Sequence, residues 1–469
     1  MIDLKYKNQE ETRLLIEQKL YFQGKSLPKR SLFFKLKEYI DTYLQENKNF
    51  PWINISGVRG VGKTVLLFQL YEYITKELKI DALYFSIDRF IQYYQKDLKD
   101  LFDLIQESEG SFLKLKKPLF IFLDEVHCDP NWAKILKTIY DTSSNVFIIA
   151  TGSSAIDINQ TADGERRSLK VKLSPLSFTE YLSICFDKKI KENIKKELGQ
   201  ALFESKNAQE AFKNIKTIYA KEEVQQFLAS IEKKDIWQYI KYGSLPLVSQ
   251  IDKAETVSQL IYNSLNKVIS QDIKHIDGFS LDTSDKILSL LNILAISDIV
   301  SVDKLSNSIA KSKPTIIKML DVLKSAEIIN RIPPYYNLRR QIGKPFKNLF
   351  YLSSHRYAIL FNTPNKTQIE KFEGSLREDI VGFYLTEYFS VFSNKNIFYD
   401  PNKNSADFIV QIGDKKIAIE VGQGHKDFSQ LEKTNQNYNI DYGFNICSND
   451  LSINDKYINI PFNLFLLIL

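Results

Sequence analysis

Cysteine is scarce in this chain of 469 residues, which holds only Cys128, Cys185 and Cys447. No two of them form a CxxC pair, and their odd number argues against a disulfide framework. The histidines His127, His275 and His355 show no metal-ligand spacing with them. A reducing cytoplasmic location is therefore expected, and a zinc site is not.

Glycine and proline are also few, at 17 and 13 residues, which leaves little room for long flexible linkers. Hydrophobic residues make up 44% and charged residues 26%, as in an ordinary globular protein. The longest apolar run, Leu464 to Leu469, is far shorter than the ~20 residues that span a bilayer. The charged start of the chain does not resemble a signal peptide, so no contact with a membrane is expected.

Neither sign of charge dominates, because 63 basic residues stand against 57 acidic ones and leave a net charge of +6. This excess permits nucleic-acid binding without arguing for it, since local patches matter more than the sum. A chain of this length is expected to contain two to four domains of ~100–200 residues each.

Apolar stretches alternate with helical ones in the first third of the chain. Strands are predicted at residues 52–56, 82–87, 119–123 and 145–150, and helices at residues 31–44, 65–78 and 132–142. Continuous apolar strands between helices indicate a parallel sheet covered on both faces. From residue 175 to about 240 the pattern is helical and rich in lysine. Strands return at residues 349–352, 397–399, 408–412, 417–421 and 442–446, after or beside a helix at residues 369–388.

A glycine-rich loop follows the first of these strands and precedes a helix. Its backbone N–H groups would point at phosphate oxygens, the side chain of Lys63 would reach the β- and γ-phosphates, and Thr64 would bind Mg²⁺. This pattern predicts an ATP site. The residues expected to line it are Gly57, Val58, Arg59, Gly60, Val61, Gly62, Lys63, Thr64 and Val65.

The strand at residues 119–123 runs directly into Asp124 and Glu125. We expect Asp124 to hold Mg²⁺ and Glu125 to polarise the attacking water as a general base, which favours hydrolysis over binding alone.

The strand at residues 145–150 ends in a polar turn. Thr151 and Ser153 are candidates for sensing the γ-phosphate, although a plain turn would show the same residues. Arg166 and Arg167 follow, and an arginine can stabilise transition-state charge in its own subunit or from a neighbouring one. Solvated basic residues are the alternative.

These motifs, with Asp124-Glu125-Val126-His127 and the segment Ser174–Leu182, make the chain resemble a prokaryotic AAA-type ATPase family of archaeal and STAND-like relatives. The resemblance runs from about residue 28 to nearly the end and implies a C-terminal domain of unknown function. That family has Gly-Arg before the Pro-Leu-Ser-Phe segment, whereas this chain has Arg166-Arg167. The resemblance therefore makes Arg167 the better arginine sensor. Relatives of this type either form rings or remain monomeric, so a homo-oligomer is one expectation.

Residues 283–335 predict three helices and a returning strand, the pattern of a winged helix-turn-helix. Ser312 would cap the third helix, with Pro314 in its first turn. Residues at the start of this helix would meet the phosphates or bases of double-stranded DNA, namely Lys311, Lys313, Thr315 and Lys318. A further basic cluster lies nearby at Arg339, Arg340, Lys344 and Lys347. Contact with a protein partner, or domain packing, is the alternative.

The end of the chain resembles the PD-(D/E)xK nuclease fold, in which carboxylates gather Mg²⁺ and a lysine helps to activate water. Glu378, Asp407 and Glu420 match its acids. Gly422 stands where the lysine is expected, so an active nuclease is not the first expectation. Gln423 or Lys426 would have to substitute in space.

The fold class expected is α/β, with a P-loop NTPase parallel sheet, a helical lid, a winged helix and a restriction-endonuclease-like domain. The expected divisions are residues 1–27 (helical extension), 28–180 (ATPase core), 181–280 (lid and linker), 281–340 (winged helix) and 341–469 (nuclease-like domain). Three functions remain open: an ATP-hydrolysing switch coupled to DNA or partner binding, an ATP-regulated nuclease with a role in defence, and an ATP-binding adaptor with little turnover.

Overall fold

The computed structural model describes residues 4–22, 24–46, 52–143, 145–153, 167–246, 251, 253–273, 281–336, 343–363, 369–390, 397–448 and 450–469. The chain divides into two compact units, Met1–Ser174 and Pro175–Leu469. The helices among the described residues include none with the length and apolarity to cross a membrane.

A parallel sheet of five strands forms the centre of the first unit, in the order β4-β5-β6-β3-β7. These strands are β3 Trp52–Ser56, β4 Ala82–Ser86, β5 Leu119–Asp124, β6 Val146–Gly152 and β7 Ser168–Lys172, and a small ribbon of β1 Tyr21–Phe22 and β2 Lys25–Ser26 precedes them. β5 and β6 are buried along their whole length, as expected for apolar strands covered on both faces. The predicted α/β fold with a P-loop parallel sheet is confirmed. The sequence did not indicate β7, which is only half apolar.

The helices of the first unit are α1 Leu4–Lys19, α2 Ser31–Glu46, α3 Lys63–Glu72, α4 Ile87–Tyr94, α5 Leu98–Glu109 and α6 Trp132–Thr142. The helix after the glycine loop was predicted to run to Leu78, but α3 ends at Glu72 and continues as a π-helical turn over Tyr73–Glu77. β4 is an edge strand, and Asn8 of α1 covers it by exchanging two hydrogen bonds with the backbone of Tyr84 at 2.7 and 3.1 Å. The side-chain amide thereby satisfies the backbone N–H and carbonyl of Tyr84 at this sheet edge.

The second unit begins with helices and has no strand among its described residues before Ile329. They are α7 Phe178–Phe186, α8 Glu192–Phe203, α9 Ala208–Tyr219, α10 Glu222–Ala229, α11 Lys233–Gln238 and α12 Ala254–Lys267. Ser177 and Glu180 form a capping box at the start of α7, which satisfies two backbone N–H groups there. This region is helical, as its sequence pattern predicted.

Three more helices then pack around one apolar core, and a two-stranded antiparallel ribbon lies beside them. The helices are α13 Leu281–Ile296, α14 Val302–Ile309 and α15 Lys313–Ser325, and the strands are β8 Ile329–Ile332 and β9 Lys347–Phe350. Ser312 caps α15 and Pro314 lies in its first turn, both as expected. The strand predicted at residues 349–352 falls within the residues expected to form the C-terminal domain, and the structure has it as β9. β9 pairs with β8 and is not a strand of the last sheet.

The last sheet has the strand order β10-β11-β12-β13-β15-β14. Its strands are β10 Ile397–Phe398, β11 Phe408–Ile412, β12 Lys415–Val421, β13 Tyr442–Cys447, β14 Ser452–Asn454 and β15 Tyr457–Pro461. The helices here are α16 Ser353–Phe361, α17 Glu373–Phe389, α18 Ser429–Tyr438 and α19 Phe462–Phe465. β11 and β12 are antiparallel, whereas β12, β13 and β15 are parallel.

A buried ion pair joins α16 to α17. Arg356 is 0% exposed, and its guanidinium donates to both carboxylate oxygens of Asp379 at 2.6 and 2.8 Å. It also donates to the carbonyl of Ala295 at 3.1 Å, at the end of α13. A buried charge requires such complete pairing, so Arg356 fixes the three-helix group against the C-terminal helices.

Candidate functional site

The glycine loop lies between the end of β3 and the start of α3, so its backbone amides meet a helix N-terminus. Gly60 and Gly62 have φ angles of 90° and 97°, in the left-handed region that favours glycine. A Cβ atom on Gly57 would lie 2.4 Å from the carbonyl oxygen of Leu173. The loop therefore needs glycine at these positions for its conformation and for close packing.

The other predicted loop residues divide into anchors and groups that face the site. Val58 and Val61 are 4% and 0% exposed and fix the loop in the core, whereas Arg59 and Val65 are half-buried. Lys63 is 6% exposed, and its ammonium donates to the carbonyl of Gly57 at 2.8 Å. The lysine thus spans the loop that the sequence assigned to phosphates.

Asp124 is the centre of a hydrogen-bonded group at the carboxyl ends of the strands. Thr64 donates to Asp124 Oδ2 at 2.8 Å, Tyr84 donates to the same oxygen at 3.2 Å, and Thr151 donates to Oδ1. Asp124 is only 4% exposed, so these three hydroxyls compensate its burial. The motifs had singled out Thr64, Asp124 and Thr151 but not Tyr84, whose only sequence signal is a phenol in a largely apolar strand.

Mg²⁺ prefers oxygen ligands, and the hydroxyl of Thr64 and the carboxylate of Asp124 lie in direct contact. Their pairing places both oxygens beside the last residue of the glycine loop. These residues therefore fit the ion that the motif implies.

Glu125 follows in a left-handed backbone conformation, with φ 58° and ψ 44°. Its N–H donates to Thr151 Oγ1 at 3.2 Å, which fixes the turn against β6. Burial raises the pKa of its carboxyl, and the nearby Lys63 ammonium partly offsets this effect. The Nδ1 atom of His127 lies 3.3 Å from Glu125 Oε2, a neighbour that sequence reasoning did not assign to the site.

Ser153 lies just beyond β6 and is 8% exposed. Its buried hydroxyl has no hydrogen-bond partner among the described residues, as is common for a group that meets a ligand or water. Ser154 and Arg166 lie outside the described residues.

Arg167 lies away from the glycine loop of its own chain, which does not agree with an arginine sensor that acts within one chain. It immediately precedes β7, and its carbonyl accepts from the N–H of Trp52 at the start of β3. Because β3 and β7 are parallel, Arg167 lies at the amino-terminal ends of these strands, whereas the glycine loop follows Ser56 at their carboxyl-terminal ends. The five residues of β3 separate these two ends by about 16 Å. Its guanidinium binds Asp141 at 2.6 Å instead.

The predicted DNA-contacting residues surround the start of α15. Lys313 is exposed and forms an ion pair with Asp303 at 2.6 Å, and Lys318 is exposed one turn later. Lys311 is half-buried, and the hydroxyl of Thr315 lies 2.8 Å from that of Ser312 at the helix cap. Arg339 and Arg340 lie outside the described residues.

The strand pairing brings the predicted acids of the C-terminal domain to one place. Phe408 is opposite Ile419, so Asp407 and Glu420 are neighbours at the ends of β11 and β12. Asp407 Oδ2 accepts from the N–H of Val421 at 3.0 Å. Glu378 of α17 faces Asp407 across a shared partner.

That partner is Lys347 of β9, whose ammonium lies 2.6 Å from Glu378 Oε2 and 3.0 Å from Asp407 Oδ1. Burial alone would lower the pKa of Lys347, but the carboxylates of Asp407 and Glu378 outweigh it and raise this pKa. The sequence predicted Lys347 as one member of a basic cluster near the DNA-contacting residues, but its side chain is 6% exposed and contacts two carboxylates instead. Within the described residues, no group of three or more His, Cys, Asp or Glu side chains has an arrangement that would hold a metal ion.

Lys426 fills the space that Gly422 leaves. A Cβ atom at Gly422 would lie 2.7 to 2.8 Å from three carbon atoms of the Lys426 side chain. The ammonium of Lys426 binds Glu420 Oε1 and donates to Gln430 at 3.1 Å. Gln423, the other residue considered as a substitute, binds Glu373. Glu420 is 2% exposed, and its Oε2 has no hydrogen-bond partner among the described residues.

Comparison with known proteins finds an AAA domain at residues 49–182 and a domain of unknown function (DUF8612) at residues 233–365. Uncharacterized protein MJ1637 of Methanocaldococcus jannaschii is 34% identical over 440 residues, covering 92% of this chain and 88% of that protein. Uncharacterized protein MJ1544 of the same organism is 24% identical, covering 78% and 73%. An uncharacterized protein of Haemophilus influenzae is 26% identical, covering 63% and 66%.

Two solved structures illustrate a distant likeness. The Thermotoga maritima RuvB Holliday junction branch migration motor has a TM-score of 0.28 and 16% identity, covering 66% of this chain and 90% of that one. AMPPCP-bound DnaA from Aquifex aeolicus has a TM-score of 0.26 and 16% identity, covering 64% and 89%.

Proposed function

This chain belongs to the protein family of MJ1637 and carries an AAA domain, and from that premise we propose that it is a Mg²⁺-dependent ATPase that works as a nucleotide switch. ATP binding follows from the AAA domain and the glycine loop. Hydrolysis, the ion and the coupling to a partner are the proposal.

One observation carries it: Thr64, Asp124 and Thr151 form a continuous hydrogen-bonded chain, and Glu125 is attached to the same chain through its backbone. A site built only to hold nucleotide has no need of a second, separately positioned carboxylate. The raised pKa of Glu125 brings this carboxyl closer to the pH at which a general base works best.

Each residue then has a distinct task. Lys63 would leave the Gly57 carbonyl and donate to the β- and γ-phosphates, while the loop amides hold their oxygens. Thr64 and Asp124 would hold Mg²⁺, which when bound neutralises phosphate charge. Glu125 would orient the attacking water and accept its proton, and Thr151 would keep Asp124 and Glu125 in register.

The test is ATP turnover of the full chain with Glu125→Gln. Removal of a general base reduces the rate by about 10²–10⁴-fold, and ATP affinity should be unchanged because the loop is intact. Glu107→Gln is the matched control, since Glu107 is an exposed glutamate of α5. Turnover that persists in Glu125→Gln contradicts the assignment of the base. Absence of turnover in the unaltered chain, with ATP still bound, favours the adaptor function.

We further propose that the switch acts on double-stranded DNA through α15. The exposed lysines Lys313 and Lys318 lie in its first two turns, where ammonium groups can meet phosphates. Asp303 holds Lys313 by an ion pair that DNA phosphate would replace.

Two measurements test the coupling. ATP turnover with and without duplex DNA should differ, and duplex affinity should fall as salt rises, because counterions are released on binding. The double variant Lys313→Ala/Lys318→Ala should weaken binding and flatten the salt dependence, whereas Lys234→Ala, at an exposed lysine of α11, should not. Salt-independent affinity, or equal turnover with and without DNA, counts against this coupling and leaves ATP hydrolysis untouched.

A further inference from the structure

Lys347 lies at the centre of the C-terminal acidic cluster, which consists of Glu378, Asp407, Glu420, Lys347 and Lys426. Its ammonium bridges Glu378 and Asp407 at 2.6 and 3.0 Å, and Lys426 binds the third acid, Glu420. The two lysines thus meet all three carboxylates.

The position of this ammonium is fixed by the fold. Lys347 is the first residue of β9, where its backbone pairs with Ile332 of β8 and forms a bridge to Ile299. Its ammonium also lies 5.0 Å from the ring centroid of Phe408, the residue after Asp407. The side chain of Lys347 is only 6% exposed, so it is a buried part of the cluster and not a solvated surface charge.

A nuclease fold of this type implies a divalent metal among the acids, but the residues present do not fit one. A metal shared by Glu378 and Asp407 would take up the space between their oxygens, and Lys347 holds it with a positive charge of its own. The arrangement of acids among the described residues likewise includes no metal-binding group of three.

One carboxylate oxygen of the cluster nevertheless lacks a partner among the described residues. Glu420 Oε2 is buried and without a hydrogen-bond partner in the described part of the chain, although Oε1 of the same carboxylate binds Lys426. Asp407, the neighbour of Glu420 across β11 and β12, presents Oδ1 to Lys347. Removal of the Lys347 ammonium would leave the oxygens of Glu378 and Asp407 that now contact it without a cation between them.

We propose that Lys347 is the resident cation of this cluster, that it closes the cluster to divalent metals, and that loss of its ammonium opens a site for one divalent ion between Glu378 and Asp407. The lysine belongs to the ribbon beside the three-helix group, whereas the acids belong to the C-terminal α/β domain. The ion pairs of Lys347 with Glu378 and Asp407 therefore connect these two parts of the second unit.

The experiment measures binding of Mn²⁺ to the nucleotide-free full chain by electron paramagnetic resonance of the free ion. All proteins carry Asp124→Asn, which removes the ATP-site ligand. The Lys347→Met variant should bind one more Mn²⁺ than the parent under the same conditions. Its affinity for this ion should be at least tenfold higher than that of the chain with Lys347. Adding Asp407→Asn should abolish that gain. Lys344→Met is the matched control, because it removes an exposed lysine three residues earlier and should bind as the parent does.

Two results overturn the proposal. One is a parent chain that already binds this Mn²⁺ as tightly as Lys347→Met and loses it with Asp407→Asn, since the lysine would then close nothing. The other is a folded Lys347→Met chain with no additional Mn²⁺.

Where Lys347→Met is too unstable for binding measurements, Lys347→Gln serves as a second variant and its melting temperature is followed with rising Mn²⁺. A rise that Asp407→Asn abolishes supports the proposal, because an ion that binds only the folded state stabilises it. A melting temperature that does not respond to Mn²⁺ refutes it.

Discussion

The side chain of Lys426 occupies the volume into which a side chain at Gly422 would grow, with three of its carbons 2.7 to 2.8 Å from the position of that Cβ. The missing side chain and the lysine four residues later are therefore one feature. Lys426 reaches Glu420 by passing over a backbone that only glycine leaves uncovered.

This relationship predicts that Gly422→Ala destabilises the protein only while Lys426 is present. The new methyl group would displace the Lys426 side chain and leave the buried carboxylate of Glu420 without its partner. This should lower the free energy of unfolding by about 1–3 kcal/mol. In a Lys426→Ala background the same change meets open space and should have little effect. Urea unfolding of the four proteins of this double-mutant cycle measures the coupling.

Gly424→Ala is not a suitable control for that cycle, because Gly424 has a φ of 74° and any side chain there is strained. Gly374→Ala is suitable, since nothing lies within 4 Å of a Cβ at Gly374 in α17. Equal losses from Gly422→Ala with and without Lys426 would show that the two positions do not interact.

His127 is expected to position Glu125 rather than to touch nucleotide. Its Nδ1 is 3.3 Å from Glu125 Oε2, two residues along a short 3-10 turn. His127→Ala should free the carboxylate and reduce kcat roughly tenfold, the equivalent of ~1.4 kcal/mol in the barrier. The KM for ATP should change little, because Lys63 and Thr64 are unaffected.

The conservative variant His127→Asn retains a hydrogen-bonding side chain and should recover part of the rate. A loss of ATP affinity as large as the loss of kcat would instead mean that His127 supports the nucleotide-binding loop. Steady-state kinetics with both variants separates these outcomes.

Arg167→Ala should leave the turnover of dilute protein within about twofold of the unaltered chain, since a group at the far edge of the sheet adds nothing to the local barrier. Loss of its ion pair with Asp141, in which both side chains are about a third exposed or more, should lower stability by less than ~1 kcal/mol. A rate that rises with protein concentration, and does so only when Arg167 is present, would indicate that the arginine acts on a neighbouring subunit. A large loss in dilute protein would contradict the geometry.

The sequence was sufficient to predict which residues meet at the glycine loop, because these motifs are local. Gly57 to Thr64 form one loop and one helix start, and Asp124 ends a strand that apolar residues identify without help from other elements. Parallel pairing then brings Thr64, Asp124 and Thr151 together at one edge. Parallel pairing also places Arg167 away from this group of residues, but only when β7 is recognised as a strand. The half-polar sequence of β7, Ser168–Lys172, gives too weak a signal for that.

The C-terminal cluster shows the opposite limit. Spacing along the chain predicted Glu378, Asp407 and Glu420, because two neighbouring strands and one helix carry them. It gave no indication of Lys347, which reaches them from a ribbon sixty residues before Asp407 in the chain. Lysine in a basic stretch is normally solvated, so only the tertiary structure distinguishes this one. Whether Gln423 or Lys426 takes the place of the missing lysine likewise depends on the path of the loop, which the sequence does not give.

His355 gives a pH-dependent prediction for the second unit. Burial lowers its pKa to about 4 from an ordinary value of 6.5, and its Nδ1 has no hydrogen-bond partner among the described residues. At pH 7.5 the imidazole is almost entirely neutral in the folded and unfolded states, so it hardly affects stability there. As pH falls from 6.5 to 4, only the unfolded chain takes up the proton, and the folded state loses about 3 kcal/mol relative to the unfolded state.

The measurement compares unfolding free energies of the unaltered chain and His355→Asn between pH 7.5 and 4. Other buried groups titrate in the same range, but they contribute equally to both proteins and cancel in the difference. That difference should be nearly constant close to pH 7.5 and should shift in favour of His355→Asn by about 3 kcal/mol at pH 4. A difference that stays constant over the whole range would mean that His355 takes up its proton as readily in the folded chain as in the unfolded one, in conflict with its burial in α16.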